Sequence, residues 1–501
     1  MYIKQHARIA TALCLAASAV CAQPTDGLRN AVEQAVNTNP EIASRFSAYR
    51  ASADAVDVAR AGYFPRLDAT ASIGRESERN SGLNPENRNT GRSAAGLSLT
   101  QLLWDGLGTR RDVARSGHER LARYFELRDT TEQVALEAAR AHFDVQRYRR
   151  LVQLAEDNYV QHRYAFLQIQ SRVKAGVGRG VDLEQANARI ALAESNLTSE
   201  IANLHDVTVR FQRIVGAAPS LTLPPTTPLR DGVPPSASEA MAVAVRQSAA
   251  ISASIESLRA SRSLVEAREA AYQPRVEARL RSSVGRNLDG IQDQSRSSTA
   301  EIVLNWNLFN GGADQARVRQ QTHLLRQAGD LRDKACRDTR QVTAIAYNDT
   351  RKLADQLVFL DRNTVAIEKA RDAYRQQFDI GQRSLLDLLN AENEVYTARR
   401  SFANARFDLD YAFARTHASM YQLVAQVGLS PTDSSSTEAE GWTQGDDAPT
   451  RCPLIPVEVG GVGREELDAR AVKLTTGTPP LAPPPGLAPR PAPTKPPTRR
   501  P

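Results

Sequence analysis

The chain has 501 residues, 6% of them aromatic, with a mean hydropathy of −0.44 and a formal charge of +7. That length is enough for two or three ordinary domains, but the composition is too polar for a helical membrane protein. Nothing after residue 22 approaches the roughly 20 apolar residues a membrane helix needs. The charge is scattered along helical segments, which reads as solvated faces and speaks against a nucleic-acid partner.

The chain begins with Lys4 and Arg8 ahead of an apolar run over 9–20 that ends in Val20-Cys21-Ala22. This reads as a secretory signal peptide, residues 1–22, cleaved before Gln23. Lipidation of Cys21 is the alternative, although Ser-Ala-Val is a poor lead-in for it. With Cys14 and Cys21 removed, Cys336 and Cys452 remain, too few for a disulfide framework, and their pairing is open.

Three signatures occur twice in the same order. Tyr63-Phe64-Pro65-Arg66 returns as Tyr272-Gln273-Pro274-Arg275, an offset of 209. Leu99 to Gly106, through Trp104-Asp105, returns as Leu304 to Gly311, through Phe309-Asn310, an offset of 205. Gly176 and Val181-Asp182-Leu183 return as Gly381 and Leu386-Asp387-Leu388, again at 205. The chain therefore reads as a tandem duplication, with repeats over 23–218 and 237–430 and a Pro-rich linker at 219–236.

Each repeat is expected to hold a short helix (about 28–61 and 237–271), a β-hairpin, a very long helix and a second short helix (about 181–215 and 384–424). No Pro interrupts residues 86–218 or 275–430, and a Pro inside a helix costs about 3 kcal/mol. In the first gap Val134, Ala138, Ala141, Val145, Tyr148, Val152, Ala155, Tyr159, His162, Phe166, Ile169 and Val173 step by four and three. This heptad marks a helix packed along neighbours, and from Leu107 to Ala175 it would run on the order of 100 Å. Leu353, Leu357, Leu360, Thr364 and Ile367 repeat it more weakly.

Before each long helix the period changes to two. Leu67, Ala69, Ala71 and Ile73 alternate with Asp68, Thr70 and Ser72; Ile302, Leu304, Trp306 and Leu308 alternate with Val303, Asn305 and Asn307. Such segments suit membrane barrel strands, and equally a soluble hairpin. Residues 75–95 and 285–298, rich in Ser, Asn, Gly and Arg, read as solvent loops. Residues 431–501 read as a weakly ordered tail, with eleven Pro among 478–501.

Four strands cannot close a barrel, and an open edge is not tolerated in lipid, so membrane strands here require oligomerisation. Three chains give twelve strands, an even number with room for a lumen. The repeated order of helix, Tyr-x-Pro-Arg entry, hairpin, aromatic-(Asp/Asn)-Gly exit, long helix, Gly turn and Asp-Leu helix resembles the TolC-type outer-membrane channels over about residues 25–428. The polar hairpin loops and Cys452-Pro453 look more like its type I secretion branch than its efflux branch.

The resemblance implies a mainly α fold with a small β part: a homotrimer forming a 12-stranded barrel in the outer membrane, continued by an α-helical barrel in the periplasm. Implied partners are outer-membrane lipid, a periplasmic adaptor and an inner-membrane ABC or proton-driven transporter, with passive conduction and no cofactor. It also implies a periplasmic gate at the Gly176 and Gly381 turns, which double as adaptor-docking points. The matching positions are Phe378, Arg383 and Asp387, with Asp182 as partner. Phe378 lacks the hydroxyl often found there, and Asn390 stands where a second gate carboxylate can occur.

Asp182 and Asp387 would also favour a first helical turn through the helix dipole, whatever the gate does. Gly176-Val177-Gly178-Arg179-Gly180 has no preceding strand and no Gly-Lys-Ser/Thr, so it reads as a helix turn and not a phosphate loop. The seven His show no metal-ligand spacing, and His162 falls on a heptad packing position. Trp104, Trp306 and Phe309 suit an interfacial aromatic belt or packing at a barrel–tunnel junction. No catalytic constellation is evident, so the reading is a channel and not an enzyme. A soluble periplasmic coiled-coil adaptor is the rival class, and it would need only one helical hairpin.

Overall fold

The computed structural model describes residues 27–80, 84–224, 229–288, 291–430, 441–445, 448–454 and 461–475. The signal-peptide and Cys21 readings, and the Pro-rich stretch 478–501, lie outside these residues. The chain divides into two units, 1–454 and 455–501. The second contributes one described helix, Arg464–Thr475, and everything below concerns the first.

Its elements run α1 (Gly27–Thr38), α2 (Pro40–Arg60), β1 (Arg66–Asn80), β2 (Asn84–Trp104), α3 (Gly108–Lys174) and α4 (Gly180–Val215). They continue as α5 (Ala237–Gln247), α6 (Ala249–Glu269), β3 (Arg275–Leu288), β4 (Ile291–Asn305), α7 (Ala313–Asp379) and α8 (Leu385–Ser419). Short helices α9 (Leu423–Gln426) and α10 (Ala448–Arg451) follow. No helix among the described residues is long and apolar enough to cross a membrane.

The helix breaks have local causes. Pro40 has no N–H to continue α1, and the Asn39 side chain instead accepts from the Glu41 N–H at 2.9 Å, starting α2 afresh. Ser248 plays the same part between α5 and α6, accepting from the Ile251 N–H at 3.2 Å. At the strand exits Asp105 Oδ2 accepts from the Thr109 N–H at 2.7 Å, and Asn310 Oδ1 accepts from the Asp314 N–H at 3.4 Å. The glycine beside Asp105 is obligatory: Gly106 has φ +67°, and a Cβ there would sit 2.6 Å from the Gln273 side chain.

The two long helices pack beside their shorter neighbours, α3 with α4 and α7 with α8, while α6 bridges α3 and α7. The main core is built on α3. Val134, Ala138, Ala141 and Val145 are buried with Leu28, Val32, Phe211 and Ile214. Every one of the twelve α3 heptad positions named above is buried or half-buried. The five α7 positions are all half-buried.

The four strands form one antiparallel sheet in the order β1-β2-β3-β4. Leu67 pairs with Leu99, Leu99 with Leu280 and Leu280 with Ala300, so the apolar members of all four strands share one face. The expectation of long loops at 75–95 and 285–298 is corrected. The ladder continues through Arg75↔Gly91 to Asn80↔Asn84, and through Arg286↔Gln294 to Leu288↔Ile291. The sequence there is mostly polar and carries no alternation; backbone pairing, which needs no apolar face, carries the strands on.

Residues 441–445 and 448–454, grouped by their sequence with a weakly ordered tail, lie against the helices. Cys452 is disulfide-bonded to Cys336 of α7. The Trp442 indole N–H donates to Glu256 at 2.7 Å, and its ring centroid lies 4.7 Å from that of Phe125, with the planes tilted by 55°.

Candidate functional site: the helical tip and the sheet

Both long helices end in the same turn. Gly176 (φ +76°) and Gly381 (φ +78°) take the left-handed conformation that caps a helix C-terminus. The N–H of Val177 returns to the Arg172 carbonyl at 3.0 Å, and that of Gln382 to Gln377 at 2.8 Å. In the second turn Ser384 caps α8: its hydroxyl accepts from the Asp387 N–H at 3.3 Å and donates to the Asp387 carboxylate at 2.9 Å.

The expected gate residues are brought to this tip but not all to one another. Arg383 stays within its own turn, donating to Gln377 at 3.0 Å, lying 3.8 Å from Asp387 and 4.9 Å from the Tyr374 ring centroid. Asp182 sits half-exposed in the first turn of α4, and among the described residues it makes no ion pair with Arg383 or any other cation. Phe378 is buried among Ala165, Ile169, Ala186 and Leu389, with the Arg172 guanidinium 4.8 Å over its ring. A hydroxyl is superfluous in that apolar nest. Asn390 accepts from Arg189 of α4 at 2.6 Å, tying the two helical pairs together.

Just above the tip lies a cluster that residue spacing did not single out. Glu392, 6% exposed, takes Arg371 at 3.1 Å and Arg375 at 2.5 Å, and Arg375 also donates to Gln161 of α3 at 2.7 Å. The available signal was Glu392 itself, a charge on the otherwise apolar α8 face of Leu385, Leu388, Leu389 and Tyr396. A cavity of about 330 Å³ opens beside it, lined by Tyr164, Gln168, Arg375 and Asp379. His162 packs nearby, 2% exposed; burial lowers its pKa, against the opposing charge of Glu392. No group of three or more His, Cys, Asp or Glu among the described residues is arranged to hold a metal.

At the other end Trp104 pairs with Val276 on the apolar face of the sheet. Trp104, Trp306 and Phe309 are all exposed, Phe309 at 87%, and the Trp306 N–H donates to the Tyr272 carbonyl at 3.1 Å. The apolar face is uncovered within one chain: Leu67, Ile73, Ile302 and Leu304 are all exposed. Both sheet edges, β1 and β4, are also unpaired in one chain.

An uncovered apolar sheet with open edges, set on long paired helices, defines a subunit of an outer-membrane channel whose helical part stands in the periplasm. The comparisons agree. The model of the family described as "Outer membrane efflux protein" matches residues 31–217 and 242–420, and the chain belongs to that family. Outer membrane efflux protein BepC of Brucella suis is 26% identical, covering 84% of this chain and 91% of that one. Alkaline protease secretion protein AprF of Pseudomonas aeruginosa is 25% identical, covering 78% and 83%. The crystal structure of the Campylobacter jejuni CmeC outer membrane channel shares the fold, with a TM-score of 0.73 at 14% identity over 86% and 90% of the chains.

Proposed function

We propose that this chain is the outer-membrane duct of a type I protein secretion system. Three copies close a twelve-stranded barrel, and cargo passes without energy input of its own from an inner-membrane ABC transporter and a periplasmic adaptor. The observation that carries the secretion reading is the likeness to AprF, an alkaline protease secretion protein, over most of both chains. Two repeats, 23–218 and 237–430, build each protomer, so that three chains present six helix–hairpin–helix units around one axis. BepC, named an outer membrane efflux protein, favours a second reading, in which the duct serves efflux and not protein secretion.

In this reading the tip is the resting gate and the Gly176 and Gly381 turns are where the adaptor docks. Asp182, with no ion pair among the described residues, is left to meet a neighbouring protomer, while Arg383 and Asp387 stiffen the turn beside it. Deleting the gene decides between the two cargoes. Secretion predicts that one or more proteins vanish from the culture supernatant with drug tolerance unchanged; efflux predicts the reverse.

A further inference from the structure

The register sorts the arginines of the sheet onto two faces. On the polar face Arg66 is held by Asp68 at 2.8 Å, Arg275 and Arg279 by Glu277 at 2.6 and 2.7 Å, Arg281 by Glu301 at 3.9 Å and Arg92 by Glu76 at 3.7 Å. Among the residues whose side chains are described, three others share the apolar face. Arg75 follows Ile73 by two residues on β1; Arg286 pairs with Ser93, the partner of Ile73; Arg296 pairs with Val284, two residues from Arg286. All three are exposed, and none makes an ion pair or hydrogen bond among the described residues.

Their height is the second observation. Arg75 is nine residues beyond Arg66, Arg286 eleven beyond Arg275, and Arg296 nine before Asn305. At about 3.3 Å per residue and a tilt of about 45°, these separations put all three roughly 21–26 Å above the inner end of the sheet, the thickness of the apolar band of an outer-membrane barrel. The two rims of the band differ in kind. The inner rim carries Phe64, Trp104, Trp306 and Phe309, whereas residues 74–98 and 284–300 contain no Phe, Tyr or Trp.

We propose that Arg75, Arg286 and Arg296 form a lipid-facing cationic rim that binds the phosphate groups of anionic glycolipid in the outer leaflet. A guanidinium fork matches a phosphate in a bidentate manner, and an uncompensated arginine at the edge of an apolar band gains most from an anionic headgroup at that depth. Three copies of the chain would set nine such groups around the barrel. The rim replaces an outer aromatic belt and fixes the height of the channel in an asymmetric membrane. The proposal rests on the reading that the hairpins span the outer membrane with their tips outward.

The test uses detergent-purified full-length protein and native mass spectrometry, with bisphosphorylated lipid A as probe and the same lipid stripped of phosphate as control. Wild-type trimer should retain the phosphorylated lipid at least about ten-fold better than the stripped one, since each guanidinium–phosphate pair is a charge-assisted contact. The combined variant Arg75→Gln, Arg286→Gln, Arg296→Gln should lose that preference, while Arg92→Gln on the polar face keeps it. Equal retention of the two lipids by wild type, or a triple variant that still discriminates, overturns the rim and leaves the channel intact. A protein that needs no detergent and forms no trimer overturns the channel reading, and the rim with it.

Discussion

Helices α3 and α7 have the same length and each follows a strand pair and precedes a shorter helix, yet they are held differently. The first buries a nearly continuous apolar stripe, including Phe125, Val134, Ala138, Val145, Leu151 and Leu154. The second buries only Cys336, Thr343, Ala346, Tyr347, Thr350 and Phe378, and exposes Leu331, Val358 and Val365. The two rods are thus alike in length and unlike in their surroundings. Within one chain α3 is a core helix; α7 is a flank pinned at separate points and leaving apolar surface for neighbouring protomers to cover. The pins are the disulfide at Cys336, the Tyr347 hydroxyl on the Pro235 carbonyl at 2.7 Å, and the Glu392 cluster near the tip.

If α7 is pinned by polar anchors, the largest single effect should come from removing one. Glu392→Ala takes the carboxylate from Arg375 and leaves Arg371 only the more exposed Asp372, and should cost about 3 kcal/mol, read from the denaturant midpoint of the trimer. A cost under about 1 kcal/mol would mean that apolar contacts at the tip hold α7 instead. Opening the disulfide by Cys336→Ala with Cys452→Ala frees a loop with a sequence separation of 116. The expected cost is about 2–5 kcal/mol, seen as a lower midpoint and faster proteolysis around Trp442.

The core half of the comparison is sharpened by an equivalent pair at the repeat offset. Leu151 of α3 is 2% exposed, and its counterpart at the offset of 205 is the exposed Gln356 of α7. Leu151→Ala should cost about 2–5 kcal/mol and Gln356→Ala no more than about 0.5. Equal costs would erase the distinction between core helix and flank.

The smallest effect concerns pH. Glu132 of α3 lies beneath α9, and burial raises its pKa from 4.5 to about 7, against hydrogen bonds from the Val424 and Leu423 backbone. The native state therefore holds a proton that the unfolded chain has lost. Stability attributable to this group is unaffected below pH 4.5, falls as pH rises toward 7, and stays reduced above it. Glu132→Gln should flatten that slope and gain on the order of 1–3 kcal/mol relative to wild type at pH 8, with no gain at pH 4. A constant difference across pH would assign the effect to packing.

What the sequence made legible follows from which forces write periodic patterns. Proline-free gaps, the α3 heptad and the paired Gly turns reflect backbone and packing constraints that recur every few residues, so the rods and their reversals were readable. Strand ends were not, because residues 75–80 and 84–95 pair through backbone groups while their sequence, rich in polar residues, carries no alternation. The Cys336–Cys452 bond, Arg189 with Asn390 and Glu392 with Arg371 join residues far apart in the chain or on different helices, and no local spacing encodes them. At the tip the expected residues assembled locally, but Asp182 and Arg383 did not meet within the chain, since each is positioned by its own turn.

The most direct test of the account is the subunit number of the mature protein extracted from outer membranes in mild detergent, with single-channel conductance measured on the same sample. The account predicts a trimer that conducts weakly, and more strongly once Arg383 or Asp387 is replaced by Ala. A detergent-independent soluble monomer that never conducts would contradict it.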